Sequence, residues 1–210
     1  MDRLRHQQLE TQPMWGRSGR GNDGETAASR PHELIAFVGS ARRTKAHMLV
    51  GEVSATLRQK HRLDVDMLDL SDTGPSLCTL SRAELDSRSL ALVETIERCN
   101  GLIIGCPVFQ GSYPGLFKHV FDLVSPRALR NKPVLITAVG GGLRHSLVVE
   151  HQLRPLFGFF EAATVSTAIY ACAEDLIPDS EIAELLQARI TNAAQQFATL
   201  VSNPAATTMS

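Results

Sequence analysis

Three short segments concentrate the residues equipped to hold a small molecule. The first, Gly39-Ser40-Ala41-Arg42-Arg43-Thr44-Lys45-Ala46, mixes small and hydroxyl-bearing residues with cations. Ahead of a helix, such a loop offers backbone amides and hydroxyl donors to a terminal monophosphate, and Arg42 or Lys45 adds positive charge. The same composition also suits a plain helix-capping turn. The second segment, Cys106-Pro107-Val108-Phe109-Gln110-Gly111-Ser112-Tyr113-Pro114-Gly115, is more telling. Its prolines restrict the backbone, its glycines permit close approach, and Phe109 and Tyr113 offer faces or edges to a flat heteroaromatic ring. A rigid strand-to-helix connection with packed aromatics is the competing reading. The third segment, Ala138-Val139-Gly140-Gly141-Gly142-Leu143-Arg144-His145, can set bare amides against the polar edge of such a ring, or be a flexible turn.

These segments need a scaffold, and the hydrophobic pattern supplies one. Short apolar runs alternate with helix-period stretches from Leu34 onward, the signature of a parallel sheet covered on both faces. Strands are expected at Leu34 to Val38, Leu63 to Leu70, Leu102 to Cys106, Val134 to Val139 and Thr164 to Tyr170. Helices are expected over Ala46 to His61, after a Ser81 cap, over Gly115 to Val124 with Leu116 buried, and from Ser146 until Pro155 stops or kinks the chain. A last helix spans Ser180 to Val201, with Ile182, Leu185, Leu186, Ile190 and Phe197 on its buried side. The pattern matches a flavodoxin-like, doubly wound α/β fold with a five-stranded parallel sheet of order 2-1-3-4-5. In such a sheet, ligands sit beyond the carboxyl ends of the strands, where strand order reverses.

At 210 residues, 43% hydrophobic and 20% charged, the chain fits one globular domain, taken as residues 33–202. Residues 1–32 are poor in core-forming side chains and read as a flexible extension, or as an arm docking on a neighbouring subunit through Met14 and Trp15. Residues 203–210 read as a disordered tail. A net charge of -1 gives no field to attract nucleic acid or an anionic membrane. No apolar run approaches the roughly 18 to 20 residues of a membrane span, and no signal peptide is evident, so a cytoplasmic location is expected. Cys78, Cys99, Cys106 and Cys172 lack metal-site spacing and read as reduced, mostly buried thiols.

Together and in this order, the three segments resemble the NAD(P)H-dependent FMN reductase family of flavodoxin-like proteins, over nearly all of residues 33–200. The resemblance is closest to the reductases of two-component alkanesulfonate monooxygenase systems, through PVFQGSYPGLFKHVFDLV (107–124) and TAVGGGLRHSLVVEHQLRPLFGFF (137–160). It implies that Ser40, Arg42 and Thr44, with Lys45 as an added cation, contact the FMN phosphate. Pro107, Val108, Phe109, Gln110, Gly111, Ser112 and Tyr113 would line the ribityl chain and ring, and Gly140, Gly141 and Gly142 would face the pyrimidine end. NADH or NADPH would deliver hydride to the flavin, and reduced FMN would pass to a flavin-dependent monooxygenase of sulfonate or sulfone metabolism. The resemblance also implies a homodimer or homotetramer. Thr44-Lys45-Ala46-His47 departs from the family's hydroxyl cluster and is about one residue short, which puts the phosphate grip in question. Phe109 stands where many relatives carry tyrosine.

Other readings are less well supported. Neither GxGxxG nor GxxxxGK[ST] occurs, which argues against a dinucleotide Rossmann site and a P-loop. Gly39-Ser40 lacks the cysteine of a low-molecular-weight phosphatase. His145 and His151, six apart, do not share a helical face, so no metal site is expected. Asp122 and Glu150 read as helix-surface or capping groups, and no general base is assigned, because hydride transfer between cofactors is the cofactors' chemistry. An FMN-retaining quinone or azo-compound reductase is the nearest alternative; a non-catalytic flavin electron carrier, usually more acidic, is the alternative from another class. The run Leu153 to Phe160 is expected either at a subunit interface or in a bent core helix.

Overall fold

The computed structural model describes residues 33–172, 174–176 and 181–203. The expected extension with Met14 and Trp15, the tail beyond Asn203, Ser180 and the side chain of Ile182 lie outside the described residues.

In chain order the elements are β1 (Leu34–Val38), α1 (Lys45–His61), β2 (Val65–Asp69), α2 (Ser87–Arg98), β3 (Gly101–Pro107), α3 (Gly115–Leu123), β4 (Pro133–Gly140), α4 (Arg154–Phe159), β5 (Ala163–Thr164), β6 (Ile169–Cys172) and α5 (Glu181–Ser202). The sheet order is β2-β1-β3-β4-β5, all parallel, with β6 also paired to β4. This is the expected doubly wound order. Side-chain alternation divides the apolar residues between two layers. Leu34, Ala36 and Val38 of β1 pack under α1 and α5, beside Leu49, Val53 and Phe197. Ile35 and Phe37 face the opposite layer with Leu92, Ile96, Phe117, Phe121 and Phe157. An aromatic column runs through that second layer: Phe37 stacks on Phe117 at 5.9 Å, Phe117 meets Phe121 at 5.0 Å, and Phe121 meets Phe157 edge-on at 5.1 Å.

Several local expectations are corrected. The second helix starts not after Ser81 but after Asp86, whose carboxylate accepts the amides of Arg88 and Ser89. A carboxylate can take two first-turn amides and also favours the positive end of the helix dipole. The fifth strand is not continuous. It forms as two pieces: the Val165 amide still donates to Val134 O of β4 at 2.8 Å, but beyond it Arg154 takes the Val165 and Ser166 carbonyls and Gln196 accepts the Thr167 amide. Pro155 does not stop its helix. A π-helical turn, Val149–Leu153, precedes it, and Pro155 falls in the first turn of α4, where its missing amide costs nothing. Leu116 and Leu185 are exposed rather than buried. The Leu153 to Phe160 run divides: Leu153, Phe157 and Phe160 are core, while Phe159 is 68% exposed.

Candidate functional site

The three segments leave the same carboxyl edge of the sheet. Strand order reverses between β1 and β3, so the first and second segments flank the switch point. Backbone bonds tie them to the strands: Gly39 N donates to Gly105 O at 2.9 Å, and Val108 N donates to Val139 O at 2.8 Å. The sheet thus sets the loops' spacing before any ligand arrives.

The first loop carries an internal turn. Ser40 Oγ donates to Arg42 O at 2.9 Å and accepts from Arg42 N at 3.3 Å. Ser40 is buried, Arg42 and Lys45 are exposed, and Thr44 is half-buried as the N-cap of α1. The first turn of α1 holds no acidic residue, and the amides of any first turn lack acceptors within their helix. Cationic side chains, small residues and a positive helix end are the donor set a phosphate requires.

Phe109 to Ser112 form a two-residue hairpin. Phe109 N donates to Ser112 O at 2.9 Å and Ser112 N to Phe109 O at 3.0 Å, while Gln110 (φ 51°) and Gly111 (φ 82°) are both left-handed. Positive φ at both central positions is the requirement of a type I′ turn, so Gly111 sits where a side chain would be strained. The hairpin leaves Phe109 54% exposed beside the sheet edge, available as an aromatic surface. Tyr113 turns inward, 5.9 Å from Phe117. A residue that sequence reasoning missed holds the hairpin from behind: Gln152, on the π-helical turn, accepts from Ser112 Oγ and donates to Gly111 O.

Gly140 ends β4, and Gly141 and Gly142 follow with open space where a Cβ would stand. A planar ring edge can approach such backbone closely. A second unforeseen residue supports this loop: Tyr170 of β6 donates its hydroxyl to Gly142 O at 2.6 Å. Burial, with Cys172 adding to it, pushes the Tyr170 phenol up to about 12, so it stays protonated and able to donate at neutral pH. A Cβ at Gly140 would lie 2.2 Å from that hydroxyl and would have to displace it.

A cavity of about 610 Å³ lies to one side, between α3 and the π-helical turn with α4, lined by Phe121, Pro155, Leu156 and Phe159 among others. Tyr113 is the one expected binding residue that reaches it. The other expected residues lie on the open sheet edge, which is where this fold exposes a site. Asp122 and Glu150 pair with Lys118 and Arg154 on the helix surfaces, as expected of structural charges. Of the thiols, Cys99, Cys106 and Cys172 are buried and Cys78 is exposed, all four free. No helix among the described residues is long and apolar enough to cross a membrane.

A family model described as NADPH-dependent FMN reductase matches residues 33–176. An NADH-dependent FMN reductase SfnF of Pseudomonas fluorescens is 40% identical over 174 residues, covering 82% of this chain and 93% of that protein. An FMN reductase (NADPH) of Pseudomonas aeruginosa is 39% identical, covering 81% and 92%. Among solved structures, an oxidoreductase from Corynebacterium diphtheriae superposes with a TM-score of 0.68 at 31% identity, covering 82% of this chain and 98% of that one.

Proposed function

The chain belongs to the NADPH-dependent FMN reductase family, and from that premise we propose that its three carboxyl-edge loops form the FMN site. It is an NAD(P)H:FMN oxidoreductase, and its two small-molecule ligands are the nicotinamide and the flavin. The observation that carries the site is the shared edge: phosphate-type donors, an exposed aromatic hairpin and a bare glycine loop flank one strand-order reversal.

In this reading Ser40, Arg42, Thr44 and Lys45 hold the phosphate, with Arg42 supplying a charge-assisted bond. Pro107 to Tyr113 line the ribityl chain and one side of the ring, and Gly140 to Gly142 place amides against its pyrimidine edge. Bound FMN supplies the hydride-accepting chemistry. The chain's own work is to fix the ring, leave one face open for the nicotinamide and keep water out while the two are apposed. No protein acid or base is needed. Relatives named for NADH and for NADPH align about equally well, and both nicotinamides belong in the assay.

The reduced flavin, we further propose, serves a separate flavin-dependent monooxygenase. The departure at Thr44-Lys45-Ala46 supports a flavin that leaves, because a shortened hydroxyl cluster weakens phosphate grip. The exposed Phe159 beside the apolar cavity supports a homodimer or homotetramer, which light scattering tests. The functional test is to purify the protein without added flavin, record its visible spectrum, and follow loss of nicotinamide absorbance while FMN is titrated. A colourless protein whose rate saturates with FMN is expected. A yellow protein that turns over only with a quinone or azo dye would point to the retained-flavin alternative, and absence of flavin binding would refute both.

A further inference from the structure

One buried polar side chain next to the first loop has no part in that reading. His47, the third residue of α1, is 5% exposed. Burying an imidazole is unfavourable unless its nitrogens are satisfied, and both are. Nδ1 accepts the Thr44 amide at 3.1 Å, and Nε2 lies 3.0 Å from Asp69 Oδ2. The Thr44 bond requires a bare Nδ1, so the ring is the Nε2–H tautomer and donates to Asp69. Asp69 is itself built in: burial pushes its carboxyl up, but the Ser71 hydroxyl and the His47 ring outweigh this and hold it below the usual range. Its Oδ1 accepts the Ser71 amide at 2.7 Å, and its own amide donates to Asp72 at 2.9 Å.

The same stretch holds the loop's other end, since Leu70 N donates to Ser40 O at 3.3 Å. Both ends of the 40–44 loop are therefore fastened to the exit of β2, one directly at Leu70 and one through the His47 ring to Asp69. The usual residue at this helix position is Glu or Gln, reaching back to the N-cap amide. A glutamate would set a carboxylate beside the phosphate. Histidine caps without charge and reaches both partners.

We propose that His47 is a positioning residue for flavin phosphate binding, holding the 40–44 loop in its phosphate-receiving shape by bridging Thr44 to Asp69. The inference rests on the reading of this loop as the phosphate site.

The test compares FMN with riboflavin, which lacks the phosphate, by quenching of flavin fluorescence with the full chain. His47→Leu keeps bulk and apolar packing but removes both bonds. It is expected to weaken FMN binding about three- to tenfold, the range of one lost hydrogen bond, while riboflavin binding holds. In turnover, the loss falls on the KM for FMN and not on kcat. His47→Gln restores the acceptor for the Thr44 amide and is expected to recover most of the FMN affinity, whereas a residue that merely packs would prefer leucine. Should the leucine variant not fold, Asp69→Ala carries the test: removing the acceptor of the Nε2–H bond is expected to weaken FMN and leave riboflavin unmoved. Unchanged FMN affinity, equal loss of FMN and riboflavin, or a glutamine variant no better than leucine would each overturn the proposal. Arg42→Ala separates the two levels. If it selectively weakens FMN and the His47 variants do not, the brace alone fails; if neither does, the phosphate-loop reading fails with it.

Discussion

Gly140→Ala is the substitution whose outcome the geometry constrains most tightly. The residue's backbone is extended within β4, so alanine meets no backbone penalty, and the whole effect comes from one contact. Its Cβ would lie 2.2 Å from the Tyr170 hydroxyl oxygen, about 1 Å inside any tolerable approach. The hydroxyl cannot retreat freely, because it donates to Gly142 O at 2.6 Å. Overpacking of this kind costs about 1–3 kcal/mol, and forfeiting the hydrogen bond adds about 1 kcal/mol. We therefore expect Gly140→Ala to destabilise the protein by about 2–4 kcal/mol and to weaken FMN binding, since the displaced glycine loop is the proposed pyrimidine contact. Tyr170→Phe is the complementary perturbation. With the hydroxyl gone, the nearest ring carbon lies 3.1 Å from the same Cβ, a tight but adjustable contact. In a double-mutant cycle measured by urea unfolding, Gly140→Ala made on top of Tyr170→Phe should cost about 1 kcal/mol or less, a coupling of about 1–3 kcal/mol. Additive losses, or a Gly140→Ala protein as stable as the parent, would refute the argument.

Other expectations follow from single features. Gly111→Val forces a β-branched residue to φ 82°, and should cost about 1–2 kcal/mol and reduce FMN affinity, read by thermal melting and flavin titration. With Ellman's reagent at mildly alkaline pH, one thiol per chain should react quickly and Cys78→Ser should abolish it, because Cys78 is exposed while burial pushes Cys99 up to about 11 and Cys106 up to about 12. Stability should hold above about pH 5 and decline as the pH falls through and below about 4, the unfolded carboxylate value. Asp69, Asp86 and Glu97 are all held below their ordinary values in the fold, so each contributes stability above that value and loses it as acid protonates the folded form. Thermal melts across that range check the sign; a melting temperature that rises on acidification would contradict it.

The central strands were legible because they are buried on both faces. LIAFV, LIIGC and VLITAV are nearly unbroken apolar runs, the pattern of strands covered on both faces by helices. The candidate loops were legible for the complementary reason, since Gly, Pro and hydroxyl residues cluster where apolar periodicity stops. What the sequence concealed is almost entirely long-range. His47 reaches Asp69 across 22 residues, Ser112 reaches Gln152 across 40, and Tyr170 reaches Gly142 across 28. None of these side chains is distinguished by its neighbours in sequence. Ser81 has the composition of a cap, but the helix it would start begins only after Asp86, where the packed position of the helix places it. Pro155 was read by its effect on a regular helix, and the π-helical turn ahead of it removed the conflict.

The broken fifth strand has a bearing on solubility. A sheet margin normally presents a row of unsatisfied amides and carbonyls on which a foreign chain can add itself, the first step of aggregation. Here the margin is two pieces of two and four residues, and the stretch between them is already spent: Arg154 takes the Val165 and Ser166 carbonyls, and Gln196 takes the Thr167 amide. An incoming strand finds no continuous template there. Arg154 thus guards this margin against non-native self-association.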